Sequence, residues 1–121
     1  MKKAINSVEE AVELYVNNAR IHGEASETGN YRKANKAHDI IRECEKYLYD
    51  NNSMILLEKY LNDPANGVRN WVSYDLLPVI PEKAIKVKED IANGPFGAAK
   101  ATASTTLELW KKGELTFPYM N

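Results

Sequence analysis

Cysteine occurs once in this chain, at Cys44, and histidine only twice, at His22 and His38. A lone thiol can close no intramolecular disulfide and build no CxxC metal site. The two histidines stand far apart, without HxxxH or HExxH spacing, so no metal ligand set is expected. A single free cysteine inside a helical pattern suits a small buried hydrophobe in a reducing, cytoplasmic compartment. Basic charge is not in surplus either: 16 Lys and Arg against 17 Asp and Glu leave a net charge of −1. Nucleic-acid binders draw most of their affinity from neutralising phosphates, so no nucleic-acid partner is expected. No apolar run approaches the ~18–20 residues that span a bilayer, which argues against a membrane partner. The opening MKKAINSVEE carries two lysines with no apolar stretch behind them, and no signal peptide is expected. Catalytic signatures are missing as well. There is no G-x-S-x-G, and Gly94-Pro-Phe-Gly97-Ala-Ala-Lys100 lacks the GxxxxGK[ST] pattern and follows no strand. Neither an enzymatic activity nor a cofactor is expected.

Helical periodicity is what the chain does carry, and it runs through a single-domain length of 121 residues. A first helix is expected over Ser7–His22, capped by Ser7, favoured by Glu9 and Glu10 at its positive end, and stopped by Gly23. Val8, Val12, Tyr15 and Ala19 share its apolar face. A second helix over Tyr31–Asp50 aligns Ala34, Ala37, Ile41, Cys44 and Leu48, extended by Ile40 and Tyr47. Ser53 is expected to cap a third helix carrying Leu56, Leu57, Tyr60 and Leu61, which stops at Asn62-Asp63-Pro64. A fourth opens at Ala65–Gly67 and runs to Leu77, where Pro78 blocks continuation; Val68, Trp71, Val72 and Leu76 form its stripe. Pro81 suits the first turn of a fifth helix that ends at Asn93-Gly94-Pro95. The sixth starts near Phe96, groups Phe96, Ala99, Ala103, Leu107 and Trp110, and closes at Gly113. Residues 114–121 are read as a short flexible tail. Short connections make neighbouring helices antiparallel hairpins, and three stacked hairpins are about the minimum for a stable helical repeat domain.

The central hairpin, LLEKYLNDPANGVRNWVSYDLL, is similar to the HEAT pattern of leucines, Asp-Pro, then Val-Arg and apolar residues up to a closing Leu. The wider layout resembles the bacterial HEAT-like family of unknown function numbered two thousand and nineteen. The residues that carry the resemblance are Tyr31-Arg-Lys-Ala-Asn35, Asp63-Pro64 with Val68-Arg69, and Leu107-Glu-Leu-Trp110-Lys-Lys-Gly113. It covers roughly residues 8–114. What it implies is an all-α fold, a right-handed α-α superhelix of three HEAT-like helical hairpins, and no defined activity. Ser73-Tyr74-Asp75 departs from the pattern, being bulkier and more polar than the alanines usual in HEAT second helices.

Two groups of side chains are candidates for function. Tyr31, Asn35, His38, Arg42, Glu45 and Tyr49 align along one ridge of the second helix, opposite its apolar face. With Asn70 and Tyr74 on the fourth helix, they form the expected partner-binding surface, since tyrosine and arginine dominate binding hot spots. The alternative is a solvated face, with Arg42 paired to Glu45 at i+3. The basic stretch Lys83–Lys88, answered by Glu82, Glu89 and Asp90, is also read as a solvated face. Asp75 falls in the middle of an apolar stripe and must be paired, protonated or at a rim, with Arg69 as its expected structural partner. The chemical alternative places Asp75 beside Trp71 and Trp110, as in HEAT-like DNA glycosylases, where a carboxylate faces a developing oxocarbenium ion. The expected function is a protein-binding module, monomeric or weakly dimeric, of the size and fold of an immunity protein that neutralises a toxin. A self-associating structural subunit is the remaining alternative.

Overall fold

The computed structural model describes residues 4–120. The fold is all-helical, with no strand among the described residues. Helix α1 spans Val8–Thr28, α2 Tyr31–Asp50, α3 Asn66–Leu76, α4 Pro81–Ala92 and α5 Ala98–Lys111. A nine-residue 3₁₀ helix, Met54–Asn62, stands between α2 and α3, and a 3₁₀ turn, Pro118–Met120, follows α5. The elements pair in chain order as three hairpins, α1 with α2, the 3₁₀ helix with α3, and α4 with α5. The arrangement is compatible with a superhelix of helical hairpins.

Local chemistry sets most of the helix ends. Ser7 Oγ accepts from Glu10 N at 3.1 Å, and Asn30 Oδ1 accepts from Lys33 N at 3.2 Å, each satisfying a free first-turn N–H. Pro81 opens α4, where its missing N–H costs nothing. Gly23 does not end α1. The helix runs on to Gly29, whose φ of 76° supplies the left-handed cap. Gly23 serves instead as a crossing point. A Cβ there would lie 2.7 Å from Gly67 Cα, and a Cβ on Gly67 would lie 2.8 Å from the Ala19 carbonyl oxygen. The backbones of α1 and α3 touch at this pair of glycines, which brings the C-terminal half of α1 against the start of α3.

The core is centred on Tyr15, Ile41, Leu48, Leu57, Val68, Val72, Leu76 and Leu77. Leu56 was expected among these residues but is 44% exposed, whereas Met54 and Leu57 are buried. The buried Met54, Leu57 and Leu61 share one face at i, i+3 and i+7, and Leu56 falls away from that face. Ser53 does not cap that helix; its hydroxyl donates to Asn51 O at 2.9 Å. Phe96, expected on the apolar face of the last helix, precedes α5 and is 99% exposed. The segment read as a flexible tail is anchored over its described part. Tyr74 Oη donates to Thr116 O at 2.5 Å, Phe117 stacks on Tyr74 at 4.8 Å, and Tyr119 is buried against Tyr49. Asn121 lies outside the described residues.

Candidate functional site

The close α1–α3 crossing and the return of α5 toward α1 enclose a groove of about 810 Å³. Its size is that of pockets that hold drug-sized ligands or short peptide segments. The end of α1 contributes His22, Gly23 and Glu27, α2 contributes Arg42, and α3 contributes Asn70, Trp71 and Tyr74. Pro95 and Phe96 form one rim, and Thr102 and Thr106 of α5 line the facing wall. Lys88 of α4 reaches it from below. Glu27 also stabilises the rim, because its carboxylate accepts from Ala99 N at 3.2 Å at the exposed start of α5.

One wall is an aromatic and cationic stack. Trp71 Nε1 donates to His22 Nδ1 at 3.2 Å, which assigns the proton of a neutral His22 to Nε2. Burial lowers the His22 pKa, and the nearby His38 lowers it further, so the ring stays neutral at physiological pH. His38 meets the Trp71 ring edge at 5.7 Å. The Arg42 guanidinium lies 5.4 Å from the Trp71 ring centre and 5.8 Å from that of Tyr74, cation–π distances for both. Arg42 thereby joins the groove to the interior.

Behind that wall lies a sealed carboxylate pair. Glu45 and Asp75 are both fully buried. Arg42 Nη1 donates to Glu45 Oε1 at 2.8 Å, and Tyr15 Oη donates to Asp75 Oδ2 at 2.5 Å. The second oxygens, Glu45 Oε2 and Asp75 Oδ1, have no hydrogen-bond partner within ordinary distance among the described residues. A single proton held between the two carboxylates satisfies both. Desolvation raises both acids, and the neighbouring Asp75 charge raises Glu45 further. The pair therefore keeps one proton between its two carboxyls and carries a single negative charge beside the Arg42 guanidinium. The buried Tyr119 hydroxyl, brought in by the docked chain end, faces the same charge, and its own ionisation is pushed up, first by burial and then by Asp75.

Lys88 is the second buried charge. It is 1% exposed, and its Nζ donates to Asn70 O at 2.6 Å and to Asn70 Oδ1 at 2.8 Å. Asn70 Nδ2 in turn donates to Ala99 O at 3.0 Å, tying the start of α5 to α3. No carboxylate lies within ion-pair distance of Lys88 among the described residues. Burial brings its pKa down to about 7, opposed only by the more distant Asp75.

The expected surface divides accordingly. Tyr31 and Asn35 stay in solvent, while Arg42 turns into the groove wall and His38 packs behind it on Trp71. Glu45 is not on an exposed ridge: it is completely buried, because α2 passes beneath the docked chain end at that turn. Tyr49 is 39% exposed and packs on Tyr119. Asn70 is likewise buried, as the holder of Lys88, and Tyr74 is committed to Thr116, Phe117 and Arg42. Arg69 does not pair with Asp75; its Nη2 bonds Asn66 Oδ1, and Tyr15 takes the role assigned to it. Asp75, sealed on every side, reaches no cleft, so it offers no carboxylate to a substrate beside Trp71. Lys88 was read as part of a solvated face. Its signal was the spacing Ala84, Lys88, Ile91 (i, i+4, i+7), which puts the lysine on the buried stripe of α4.

Among the described residues no group of three His, Cys, Asp or Glu is placed to hold a metal ion, and no helix is long and apolar enough to cross a membrane. No protein-family model, curated protein or solved structure matches the chain.

Proposed function

We propose that this chain is a protein-binding module, not an enzyme, and that its groove receives a segment of another protein. The observation that supports this is the groove itself: about 810 Å³, framed by backbone contact at Gly23 and Gly67 and walled by Trp71, Tyr74 and Arg42. Those three residue types dominate binding hot spots, and here each is pre-positioned by ring stacking or a hydrogen bond. The docking surface moves from the ridge of α2 to the hollow beside it. Membership of the HEAT-like family remains part of the proposal, as does neutralisation of a toxin domain in the cytoplasm. Both rest on the central hairpin pattern and the small size of the chain. Base excision is not carried, since Asp75 has no path to a substrate.

Crosslinking in the producing cell tests the reading. A photoreactive residue replaces Thr102, exposed on the groove wall, or Lys36, exposed on α2. The proposal expects one partner protein to be captured from position 102, to be lost on Trp71→Ala, and to be absent from position 36. Equal capture from both positions, or capture indifferent to Trp71→Ala, refutes it.

A further inference from the structure

We propose that the groove selects a segment bearing a carboxylate, and that this carboxylate pairs with the Lys88 ammonium. The inference rests on the reading of the groove as a docking site and goes on to name the chemistry it takes. Lys88 is the starting point. A buried cation costs several kcal/mol unless it is paired, and among the described residues Lys88 has only the carbonyl oxygens of Asn70 as acceptors. A lysine whose role is only to hold Asn70 could be replaced by a neutral donor without that cost. An ammonium uses three donors; Asn70 occupies two, and the side chain borders the groove.

The charges facing the site from each packed element favour a single anion. Helix α1 presents neutral His22 together with Glu24 and Glu27, α2 presents Arg42, and α3 keeps Asp75 sealed behind the wall. Arg42 is already balanced by the single charge of the Glu45–Asp75 pair, whose Glu45 oxygen it bonds, and Arg20 is engaged by Asp63 at 3.3 Å. Among the described residues that line the groove, Lys88 is thus the cation left for a ligand. Glu24 and Glu27 at the mouth repel a polyphosphate backbone, as does the overall charge of −1. They tolerate one carboxylate delivered deep into the groove on an otherwise neutral or apolar segment, which Trp71, Pro95 and Phe96 can cover. An acidic side chain of a partner protein fits these demands.

The free protein already shows the property that makes this testable, because burial holds the Lys88 pKa near 7. A bound carboxylate favours the ammonium and must raise it. By reciprocity, a rise of one pH unit appears as about tenfold weaker binding at pH 9 than at pH 6. The Lys88 side-chain carbon next to Nζ reports its protonation by NMR in the wild-type protein, so the test does not depend on a variant folding. The probes are acetyl-Ala-Glu-Ala-amide, its Gln counterpart and inorganic phosphate. The proposal expects the Glu peptide to move the Lys88 midpoint upward by about one unit or more, and the other two to leave it in place. It also expects Lys88→Met to remove the preference for the Glu peptide over the Gln peptide. An unmoved midpoint overturns the proposal, as does a midpoint moved equally by phosphate. The two readings fail separately: if crosslinking from position 102 survives in Lys88→Met at every pH, the groove binds a partner but not through a carboxylate.

Discussion

The buried Glu45–Asp75 pair makes a quantitative prediction about pH. The folded pair keeps one proton because both carboxyls are desolvated and each faces the other, while in the unfolded chain Glu45 titrates near the ordinary carboxylate value of about 4.3. A group whose folded pKa is raised contributes stability that is complete below the unfolded value and is lost as pH rises toward the folded one. Between those values the folded state holds one more proton than the unfolded state. The slope therefore approaches a loss of about 1.4 kcal/mol per pH unit. Glu45→Gln is the matched perturbation. The amide has the shape of the protonated acid, its Nε2 can donate to Asp75, and its Oε1 can accept from Arg42 as Glu45 Oε1 does at 2.8 Å. At pH 5 the variant should lie within about 1 kcal/mol of the wild type, since near-isosteric exchange keeps each hydrogen bond. From pH 5 to pH 8 it should gain on the wild type by about 1–4 kcal/mol, the upper figure being three units of full slope. Lys88 pulls the other way in both proteins, because a lysine lowered to about 7 adds stability as pH rises above that value. It cancels in the comparison. Urea titrations at pH 5, 6.5 and 8 supply the free energies. Parallel curves for the two proteins would refute a proton held by the buried pair, as would a wild type that gains on the variant with rising pH.

The remaining predictions address the scaffold. Gly23→Ala should destabilise the protein by about 1–3 kcal/mol despite alanine's better helix propensity, because the new methyl would meet Gly67 Cα at 2.7 Å; thermal unfolding reads this, and a stabilised variant contradicts the crossing. Leu57→Ala should cost about 2–5 kcal/mol and Leu56→Ala under about 1 kcal/mol, in the order of their burial; equal costs would contradict the placement of Leu57 in the core and Leu56 outside it. Tyr74→Phe should lose about 0.5–1.5 kcal/mol and speed amide exchange at Met120 more than at Leu48, since the hydroxyl holds Thr116. Unchanged exchange at Met120 would show that stacking alone anchors the chain end.

What could be read from the sequence follows the range of each interaction. Ser7, Asn30 and Pro81 act within one turn of their own position, so their residue types announce the helix starts they make. The apolar stripe of α2 was equally readable, because Ala34, Ala37, Ile41, Cys44 and Leu48 repeat at helical spacing and all face inward. Gly23 could not be read: an interior glycine at a helix crossing and a terminal glycine have the same letter, and only the approach of Gly67 separates them. Leu56 stands in an unbroken apolar run, Met54 to Leu57, whose letters alone do not say which members turn inward. Asp75 was recognisable as anomalous from its place in the stripe, but its partners Tyr15, Glu45 and Tyr119 come from three other parts of the chain. Lys88 shows the reverse failure. Its helical spacing did mark it as inward-facing, and the run of charges around it masked that signal.

Hydrogen exchange of the protein, free and bound to the partner captured by crosslinking, bears most directly on the groove as the docking site. Docking there predicts slowed exchange over 22–28, 66–71 and 95–102, which border the groove, and no change over 31–36 on the exposed start of α2. Protection centred on 31–36, with the groove segments unchanged, would return the contact to the outer ridge of α2 and contradict the account.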